Sequence, residues 1–331
     1  MTVKVPSELL QTVFIELASL FKFNEQYRAF NMTVKDGTLY IAANTGLRYE
    51  ASIPVEAEGN ISTNILFKDV SEVIGQRGFV ELDIHETFVQ LNTGIFEITF
   101  SMASDVVTPL LKGPRFGTPM VPDTFAFIVG TLGNTAALRR AYKLDPYFIF
   151  DGAYSYIKFP AVYVRTAGNG LNMTIDSQSA YTIKTMKPTS FTPQGDDSVM
   201  FCNAHAFLIV PCSRPESISF EQLLPKQEFV ATWDMTGVAT HLRKAHKVLG
   251  DGMCMLFLGN SGFILHIMRA GVNSKMMFGD PTAVTKQAVQ LPLEFLLNVA
   301  SLLEGTVKVT MGGGKLWLQG TTTAALVSVS S

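Results

Sequence analysis

One predicted helix carries a cluster of basic side chains, which is the arrangement in this sequence best suited to binding anions. Segment 234–249 is predicted to be helical, with Asp234 as its N-cap and Gly250 directly after its end. Val238 and Leu242 begin an apolar stripe, so the basic residues project from the other face. Cations on one helix face can contact phosphates without reading a base sequence, whereas the simpler interpretation is an ordinary solvated face. The cluster consists of His241, Arg243, Lys244, His246 and Lys247.

Two more predicted helices carry basic residues that could contact phosphates in the same way. Segment 134–143 repeats the spacing of the first cluster, and a shorter helical pattern begins at Phe67. The predicted helices at 7–21 and 291–304 carry glutamates instead, so a uniformly basic set of helices is not expected. The further candidate phosphate-binding residues are Arg139, Arg140, Lys143, Lys68 and Arg77.

Motifs for catalysis or metal binding are weak in this sequence. Residues 310–316, TMGGGKL, lack the phosphate-loop spacing G-x-x-x-x-G-K-[ST], and a glycine-rich hairpin turn accounts for them. Cys202, His205 and Cys212 match no usual zinc spacing and have no fourth ligand nearby in the sequence. We therefore expect no catalytic residue, no metal and no cofactor.

Composition excludes several classes of protein. Hydrophobic residues make up 47% of the 331 residues and charged ones 16%, so the chain can build a core and is not of the disordered class. Its formal net charge of -2 differs from that of a compact, strongly basic DNA-binding protein, so nucleic-acid contacts would have to come from local clusters. Three cysteines, no apolar leader and no apolar run of about 20 residues predict a cytoplasmic protein without disulfides or membrane spans.

The sequence contains an internal repeat. Segments 66–102 and 291–330 both begin with a short helical pattern, reach a glycine at Gly78 or Gly305, and continue as three strands. Alternation of apolar and polar residues with turn residues between the runs is typical of antiparallel hairpins. The predicted strands are 80–84, 88–91 and 95–100 in the first segment, and 307–311, 316–319 and 324–329 in the second.

The segments that precede these two also resemble each other. Each has a predicted helix, at 7–21 and 235–249, followed by three predicted strands. Asp36-Gly37 and Asn260-Ser261-Gly262 are predicted to be hairpin turns. The predicted strands are 28–34, 38–43 and 48–54 in the first segment, and 253–258, 263–268 and 275–278 in the second.

We predict three domains, at 1–103, 104–226 and 227–331. In the first and the third, a half-unit of one helix and three strands occurs twice. The middle domain begins with the linker 104–122, whose Gly and Pro content is typical of a connection, and it is predicted to contain a helix at 134–143. Its second half-unit fits the repeat only loosely. Its predicted strands are 125–129, 147–151, 154–159, 161–165, 171–175, 181–185 and 199–202, followed by an apolar run at 206–211 that the pattern does not assign.

A helix-plus-three-strand half-unit, repeated to give domains of this length, resembles the DNA sliding clamp family of beta clamps, proliferating cell nuclear antigens and phage clamps. The resemblance implies an α+β DNA-clamp fold in which antiparallel sheets form the outside and helices line a central hole. Three domains per chain resemble the bacterial arrangement, in which two chains close a six-domain ring. The chain is shorter than bacterial clamps and ends in VSVSS without their Met-Pro segment, which suits a divergent phage or viral member.

The resemblance implies a non-enzymatic processivity factor, a homodimeric ring that encircles duplex DNA during replication and tethers a polymerase. Expected partners are double-stranded DNA without sequence preference, a DNA polymerase and a clamp loader, in the cytoplasm or, for a phage protein, the host cytoplasm. Ring closure would pair an edge strand of the first domain with one of the last domain of a second chain. The alternatives are a monomeric clamp-like processivity factor that binds DNA by charge and a β-rich viral structural protein.

The resemblance also implies that short peptide tails of these partners bind in an apolar groove on the outer face, near a domain junction. Apolar residues of the strand patterns are candidates for the groove, and the alternative for each is a place in the core. The candidates are Leu171, Phe207, Val210, Leu318 and Val329.

Overall fold

The computed structural model describes most of the chain and divides it into two compact units. Unit 1 comprises Met1–Ala126 and Ile175–Arg214, and unit 2 comprises Phe127–Thr174 and Pro215–Ser331. The units cut across the predicted domains because strands of neighbouring predicted domains share sheets, so the three-domain division remains a prediction. The described residues are 1–22, 28–75, 78–115, 117–133, 143, 145–160, 162–215, 220–224, 229–250, 252–269, 272–303 and 305–328.

Unit 1 contains an eight-stranded antiparallel sheet that joins the first and second predicted domains. Its strands are β2 (Ala29–Lys35), β3 (Thr38–Asn44), β4 (Arg48–Pro54), β5 (Ile61–Leu66), β9 (Thr118–Pro119), β14 (Ser190–Pro193), β15 (Ser198–Cys202) and β16 (Ala206–Pro211). Their spatial order is β5-β2-β3-β4-β16-β15-β14-β9. The joint is the pairing of β4 with β16, which runs from Ala51 opposite Ala206 to Arg48 opposite Ile209.

Unit 1 also contains a four-stranded antiparallel sheet with an open edge. Its strands are β1 (Thr2–Pro6), β6 (Phe79–Ile84), β7 (Phe88–Asn92) and β8 (Glu97–Ser101), in that spatial order. Strand β8 therefore lies at an edge, and just beyond it a single bridge joins Met102 to Ile65.

Helices α1 (Ser7–Phe21) and α3 (Ser177–Met186) pack together in unit 1. Helix α1 forms because Leu10, Phe14 and Leu17 recur at helical spacing and are fully buried. The Phe14 ring lies at the centre of an aromatic cluster, with ring centroids 5.8 to 6.1 Å away, that contains Phe30, Phe67 and Phe100. Burial of each such side chain contributes about 1.5–3 kcal/mol to the free energy of unfolding.

Unit 2 contains a second eight-stranded antiparallel sheet of the same design. Its strands are β10 (Phe148–Asp151), β11 (Tyr154–Phe159), β12 (Val162–Ala167), β13 (Asn172–Ile175), β17 (Phe229–Asp234), β20 (Thr306–Gly312), β21 (Lys315–Gln319) and β22 (Thr323–Ser328). The order is β13-β10-β11-β12-β22-β21-β20-β17. Here strands of the second and third predicted domains meet where β12 pairs with β22.

A long two-stranded hairpin and two helices complete the core of unit 2. The hairpin consists of β18 (Met253–Arg269) and β19 (Val272–Pro292). Helices α5 (Met235–Leu249) and α6 (Leu293–Ser301) pack against each other. Helix α2 (Pro122–Gly133) spans the division between the units, and α4 (Phe220–Leu223) is one short turn. No helix in the described part of the chain is both long and apolar enough to cross a membrane.

Four predicted elements are wrong. Segment 67–75, predicted to be helical, forms a turn in which the amides of Val73 and Ile74 both donate to Val70 O. Segments 125–129 and 181–185, predicted to be strands, lie in α2 and α3, because runs of aromatic and β-branched residues also occur on buried helix faces. The predicted turn at 260–262 lies inside β18, in a stretch where the pairing register shifts.

The middle of the chain fits the repeat better than its sequence indicates. Helix α3 is followed by β14, β15 and β16, which is the expected half-unit of one helix and three strands. The unassigned run 206–211 is therefore a strand, and the polar segment 188–197 contains β14. The predicted helix 134–143 lies outside the described residues apart from Lys143. The predicted strands 253–258 and 263–268 are parts of one strand, β18, and 275–278 lies within the longer β19, whereas the remaining predicted strands are confirmed with small shifts at their ends.

Candidate nucleic-acid interface and strap cavity

Helix α5 is shaped by signals at both ends and by one buried face. The Asp234 carboxylate accepts a hydrogen bond from the Thr236 amide at 3.2 Å, which satisfies an amide that has no partner within the helix. Gly250 ends the helix with φ 64°, and its amide donates to His246 O at 2.7 Å. The face that packs into unit 2 consists of Met235, Val238, Ala239 and Leu242.

The opposite face of α5 presents the predicted cations. His241, Arg243, Lys244 and Lys247 are exposed, and His246 is partly exposed. Because no Asp or Glu occurs from residue 235 to 249, this helix contributes only positive charge to the surface. His246 and Lys247 lie in the last turn, where cations interact favourably with the partial negative charge of the helix end. The result is a positively charged strip that can contact phosphate oxygens.

Two residues that the sequence analysis missed position His241. Its Nδ1 lies 2.8 Å from Gly237 O; because a carbonyl only accepts, Nδ1 is the protonated nitrogen in this hydrogen bond. The imidazole also packs edge-on against Phe278, with ring centroids 5.4 Å apart. A Cβ at position 237 would lie 3.0 Å from the Phe278 ring, a tight contact that glycine avoids. Glycine inside a helix costs about 1 kcal/mol of helix stability relative to alanine. A glycine within this predicted helix was therefore the sequence signal for a close contact.

Arg243 connects the basic strip to the neighbouring helix. Its Nη2 donates to Ser301 Oγ at 3.5 Å, and Ser301 Oγ in turn donates to Leu297 O at 2.8 Å within α6. A guanidinium has five N–H donors, so one long hydrogen bond at its edge orients the side chain without exhausting its capacity. Arg243 can therefore bind a phosphate while α6 supports it.

The other predicted phosphate-binding residues do not form a shared basic face among the described residues. Lys68 is exposed but lies in the segment after β5 that forms no helix, which corrects its predicted position. Lys143 is exposed and adopts φ 51°. Arg77, Arg139 and Arg140 lie outside the described residues. Phosphate contact by these five residues remains a prediction.

Residues 103–112 form a strap across one face of the eight-stranded sheet of unit 1. At its start, Ala103 and Val107 pack on small residues of β2 and β3, namely Ala29 and Ala42. Further along, Leu110 packs on a cluster formed by Met200, Cys202 and Phe207. The strap therefore crosses the joint between β4 and β16 and covers apolar residues on both sides of it.

A cavity of about 430 Å³ lies beside the strap. Strap residues 105–108 form one of its walls, and the sheet forms the rest. The sheet is hollow here because β2 and β3 carry alanines where larger residues would fill the space. Val106 is 79% exposed at the cavity, which leaves an apolar side chain open to a ligand. The sheet residues that line the cavity are Ala29, Ala42, Ala43, Asn44, Arg48 and Tyr49.

The residues predicted to line a partner groove are mostly in the core. Phe207 lies beneath the strap, and Val210 is buried on the opposite face of β16. Leu171 and Leu318 are buried in unit 2, and Val329 lies outside the described residues. Side chains exposed by 2% or less cannot reach a peptide without rearrangement, so these four occupy the core positions that the sequence left open as an alternative.

A buried carboxylate joins α1 to β4 and to the turn between β15 and β16. Glu16 is 2% exposed and accepts hydrogen bonds from Tyr49 Oη at 2.6 Å, Asn203 Nδ2 at 3.0 Å and His205 Nε2 at 3.2 Å. Burial, together with the charge of Glu16 and its hydrogen bond, raises the pKa of Tyr49 well above its ordinary value of 10.0. His205, which the sequence placed among possible metal ligands, thus contacts a carboxylate.

Comparison with known proteins identifies the fold. No protein-family profile and no curated protein sequence matches the chain. Solved structures of DNA clamps match it over its whole length. The Helicobacter pylori beta clamp bound to a DNA ligase peptide is 12% identical, with a TM-score of 0.70 and 100% of both chains covered.

The likeness extends to beta subunits of DNA polymerase III from other bacteria. The Pseudomonas aeruginosa subunit is 10% identical, with a TM-score of 0.75 and full coverage of both chains. The Borrelia burgdorferi subunit is 11% identical, with a TM-score of 0.76, and 100% of this chain and 99% of that chain are covered. The protein therefore has the DNA-clamp fold, in the form that bacterial DNA polymerase III beta subunits have. This confirms the α+β fold with antiparallel sheets that the family resemblance implies.

Proposed function

We propose that this protein is a DNA sliding clamp, a processivity factor that encircles duplex DNA and holds a DNA polymerase on it. The observation that supports this most strongly is the match of the whole chain to DNA polymerase III beta subunits, with TM-scores of 0.75 and 0.76. The function is topological: a closed ring cannot leave the duplex sideways, so a bound polymerase stays with its template. No bond is made or broken by the clamp, and no catalytic residue is required.

The basic face of α5 supplies the contact with DNA. Arg243, Lys244 and Lys247 would bind phosphate oxygens, which carry no sequence information, so the ring can move from one base pair to the next. Because each phosphate contact releases counterions, the attraction weakens steeply as salt rises. A weak attraction suffices, since closure of the ring and not affinity keeps the protein on DNA.

Closure would join two chains at open sheet edges. In unit 1, β8 is an edge strand, and Ile95, Phe96 and Met102 beside it are 86%, 50% and 56% exposed. In unit 2, the β18–β19 hairpin pairs with no other strand among the described residues, and Met277 on it is 56% exposed. Open edges with exposed apolar residues pair with other strands when they can. In the proposed ring, β8 of each chain would pair with the hairpin of the other, so that two equivalent interfaces join the chains.

Partners would bind at the strap cavity. The Helicobacter pylori clamp, which shares the fold, binds a DNA ligase peptide. A volume of about 430 Å³ falls within the range of about 300–1,000 Å³ for ligand pockets. Small apolar residues of the sheet would accept apolar side chains of a peptide, and Arg48 would favour an acidic residue beside them. A DNA polymerase and a clamp loader, acting in the cytoplasm, are the partners that this function requires.

The first test is the solution mass combined with retention on circular and linearised DNA. A mass near two chains, with binding to circular DNA that is lost after linearisation, is the expected result. A monomer that binds linear DNA with strong salt dependence would instead identify a processivity factor that binds by charge. A monomer or a large assembly that ignores DNA would overturn the clamp function.

Matched variants locate the closure. Phe96→Asp places a charge beside the open edge β8 and is expected to produce monomers that are no longer retained on circular DNA. Phe79→Asp changes a side chain that is 67% exposed on β6, away from that edge, and is expected to leave the dimer intact. If both variants stay dimeric, the chains join elsewhere.

A further inference from the structure

The strap is held on its sheet by a carboxylate that is itself buried. Glu50 projects from β4 and is 1% exposed. Its Oε2 accepts from the Leu110 amide at 2.5 Å, and its Oε1 accepts from the Lys112 amide at 2.8 Å. One side chain thereby satisfies two backbone amides of the strap with both of its oxygens.

The strap backbone is bent to reach Glu50. Leu111, between the two bound amides, has φ 54°, a left-handed conformation that a leucine rarely adopts. This conformation brings the amides on either side of it towards one anion, as in a backbone nest. The strain persists because the carboxylate holds both amides. Without Glu50, residue 111 is free to relax, and residues 110–112 lose this polar contact with the sheet.

The rest of the strap is fastened from the sheet by other side chains. Arg48 Nη2 donates to Thr108 O at 3.1 Å, and the Val107 amide donates to Asn64 Oδ1 at 2.8 Å. These contacts flank residues 105–108, which form the wall of the cavity. Glu50 therefore fixes the far end of the segment whose position determines how wide the cavity is.

We propose that Glu50 is a latch: its carboxylate holds the strap closed, and release of residues 110–112 opens the cavity to a partner. The strap is thus a gate, and a partner enters by displacing it. This inference rests on the proposed function only where it concerns a partner peptide. The latch itself concerns one carboxylate and two amides, and can be tested without DNA or any partner.

The test is amide hydrogen exchange, followed by mass spectrometry, in the full chain. Glu50→Gln keeps the size of the side chain but replaces one acceptor oxygen with an NH2 group that faces a strap amide. Exchange at residues 103–112 is expected to rise at least tenfold, while β2, β3 and β15 keep wild-type protection. Glu58→Gln, at an exposed glutamate, is the control and is expected to change nothing.

A second pair of variants acts from the strap and leaves the sheet untouched. Lys112→Pro removes the amide that donates to Oε1, whereas Lys112→Ala keeps it. The proline variant is expected to raise exchange in 103–110 as Glu50→Gln does, and the alanine variant to match the wild type. If Lys112→Pro leaves the strap protected, or if Glu50→Gln raises exchange equally across the whole sheet, Glu50 supports the fold and is no latch. If the wild-type protein is not retained on circular DNA, the clamp function is overturned, but the hydrogen-exchange test of the latch remains valid.

Discussion

Helices α1 and α5 are both 15 residues long, yet they use charge in opposite ways. Helix α1 places Glu16 in the core of unit 1, where three donors surround it. Helix α5 places Arg243 and two lysines on its exposed face. A buried charge is costly unless its partners are all present, whereas an exposed charge contributes little to stability and keeps its capacity for a ligand. Stability should therefore depend on the charge of α1, and DNA binding on the charges of α5.

The two helices also differ in how far along the chain their polar contacts reach. Glu16 contacts residues 187 and 189 positions away, in the turn between β15 and β16. The Arg243 contact with Ser301 spans 58 positions and lies on the surface. The buried network thus ties the first predicted domain to the second. The surface contact only orients a side chain within the third.

The largest effect is expected from Glu16→Ala. It leaves the Tyr49 hydroxyl, the Asn203 amide group and the His205 ring without their common acceptor in a buried site. Removal of one member of a buried charged network costs about 3–5 kcal/mol of the free energy of unfolding. Urea unfolding at neutral pH measures it. Glu8→Ala, at an exposed position of the same helix, is the control and should change the value by less than about 0.5 kcal/mol. Equal losses in both variants would contradict the contrast.

Tyr49→Phe is expected to cost less than Glu16→Ala because it removes one of the three donors. A hydrogen bond to a charged group contributes about 1.5–3 kcal/mol. The same unfolding experiment measures the change, and in a Glu16→Ala background the tyrosine substitution should cost less than in the wild type, because the acceptor is already gone. Additive losses in the double variant would show that the two side chains do not interact.

The contact between Tyr49 and Glu16 also predicts that the free energy of unfolding depends on pH in the alkaline range. The pKa of Tyr49 is raised in the folded protein above the ordinary value of 10.0. The folded state therefore keeps its proton while the unfolded chain loses it, so this contribution is complete below pH 10 and declines as pH rises further. The wild type should lose up to about 1.4 kcal/mol more per pH unit above pH 10 than Tyr49→Phe does. Parallel stability curves in that range would show that Tyr49 is not perturbed.

Local signals in the sequence predicted α1 and α5 well. The 7–21 prediction matches α1 because the apolar spacing is regular, and Asp234 and Gly250 cap α5 as the sequence predicts. In contrast, the segment 181–185 (YTIKT) is predicted to be a strand because its apolar and polar residues alternate, although it lies in α3. The decisive signal there is Asp176, whose carboxylate accepts from the Ser179 amide at 2.6 Å and starts a helix.

Contacts between distant segments could not be predicted in this way. The basic strip was predictable because all of its residues lie on one helix. The partners of Glu16 and Glu50 come from other strands and from the strap, and no spacing in the sequence relates them. The partner-groove candidates could not be placed for the same reason: apolar strand residues can face the core or a groove, and only the pairing and packing of the strands decide which.

Substitution of the exposed cations of α5 is expected to weaken DNA binding without changing the free energy of unfolding. A variant with Arg243→Ala, Lys244→Ala and Lys247→Ala should bind short duplex DNA about tenfold more weakly at low salt, measured by fluorescence anisotropy. The slope of log affinity against log salt should fall by about 1 for each phosphate contact that is lost. Urea unfolding of this variant should match the wild type.

A matched variant controls for the loss of charge. Lys4→Ala, Lys35→Ala and Lys308→Ala together remove the same charge from exposed positions on other elements of the fold. This variant should bind DNA nearly as the wild type does. Equal weakening in both triple variants would mean that net charge, and not the face of α5, attracts DNA.

The smallest effect concerns the caps. Asp234→Ala removes the N-cap of α5 and should cost about 1 kcal/mol of the free energy of unfolding, as Asp176→Ala should for α3. Both substitutions should change DNA affinity only slightly. The cations of α5 lie in the second half of the helix, away from the end that would fray without its cap. If Asp234→Ala weakens DNA binding as much as the α5 triple variant does, disturbance of the helix, and not loss of phosphate contacts, explains both results. If binding is unchanged, the basic strip acts through charge held on a helix whose stability comes from its buried face.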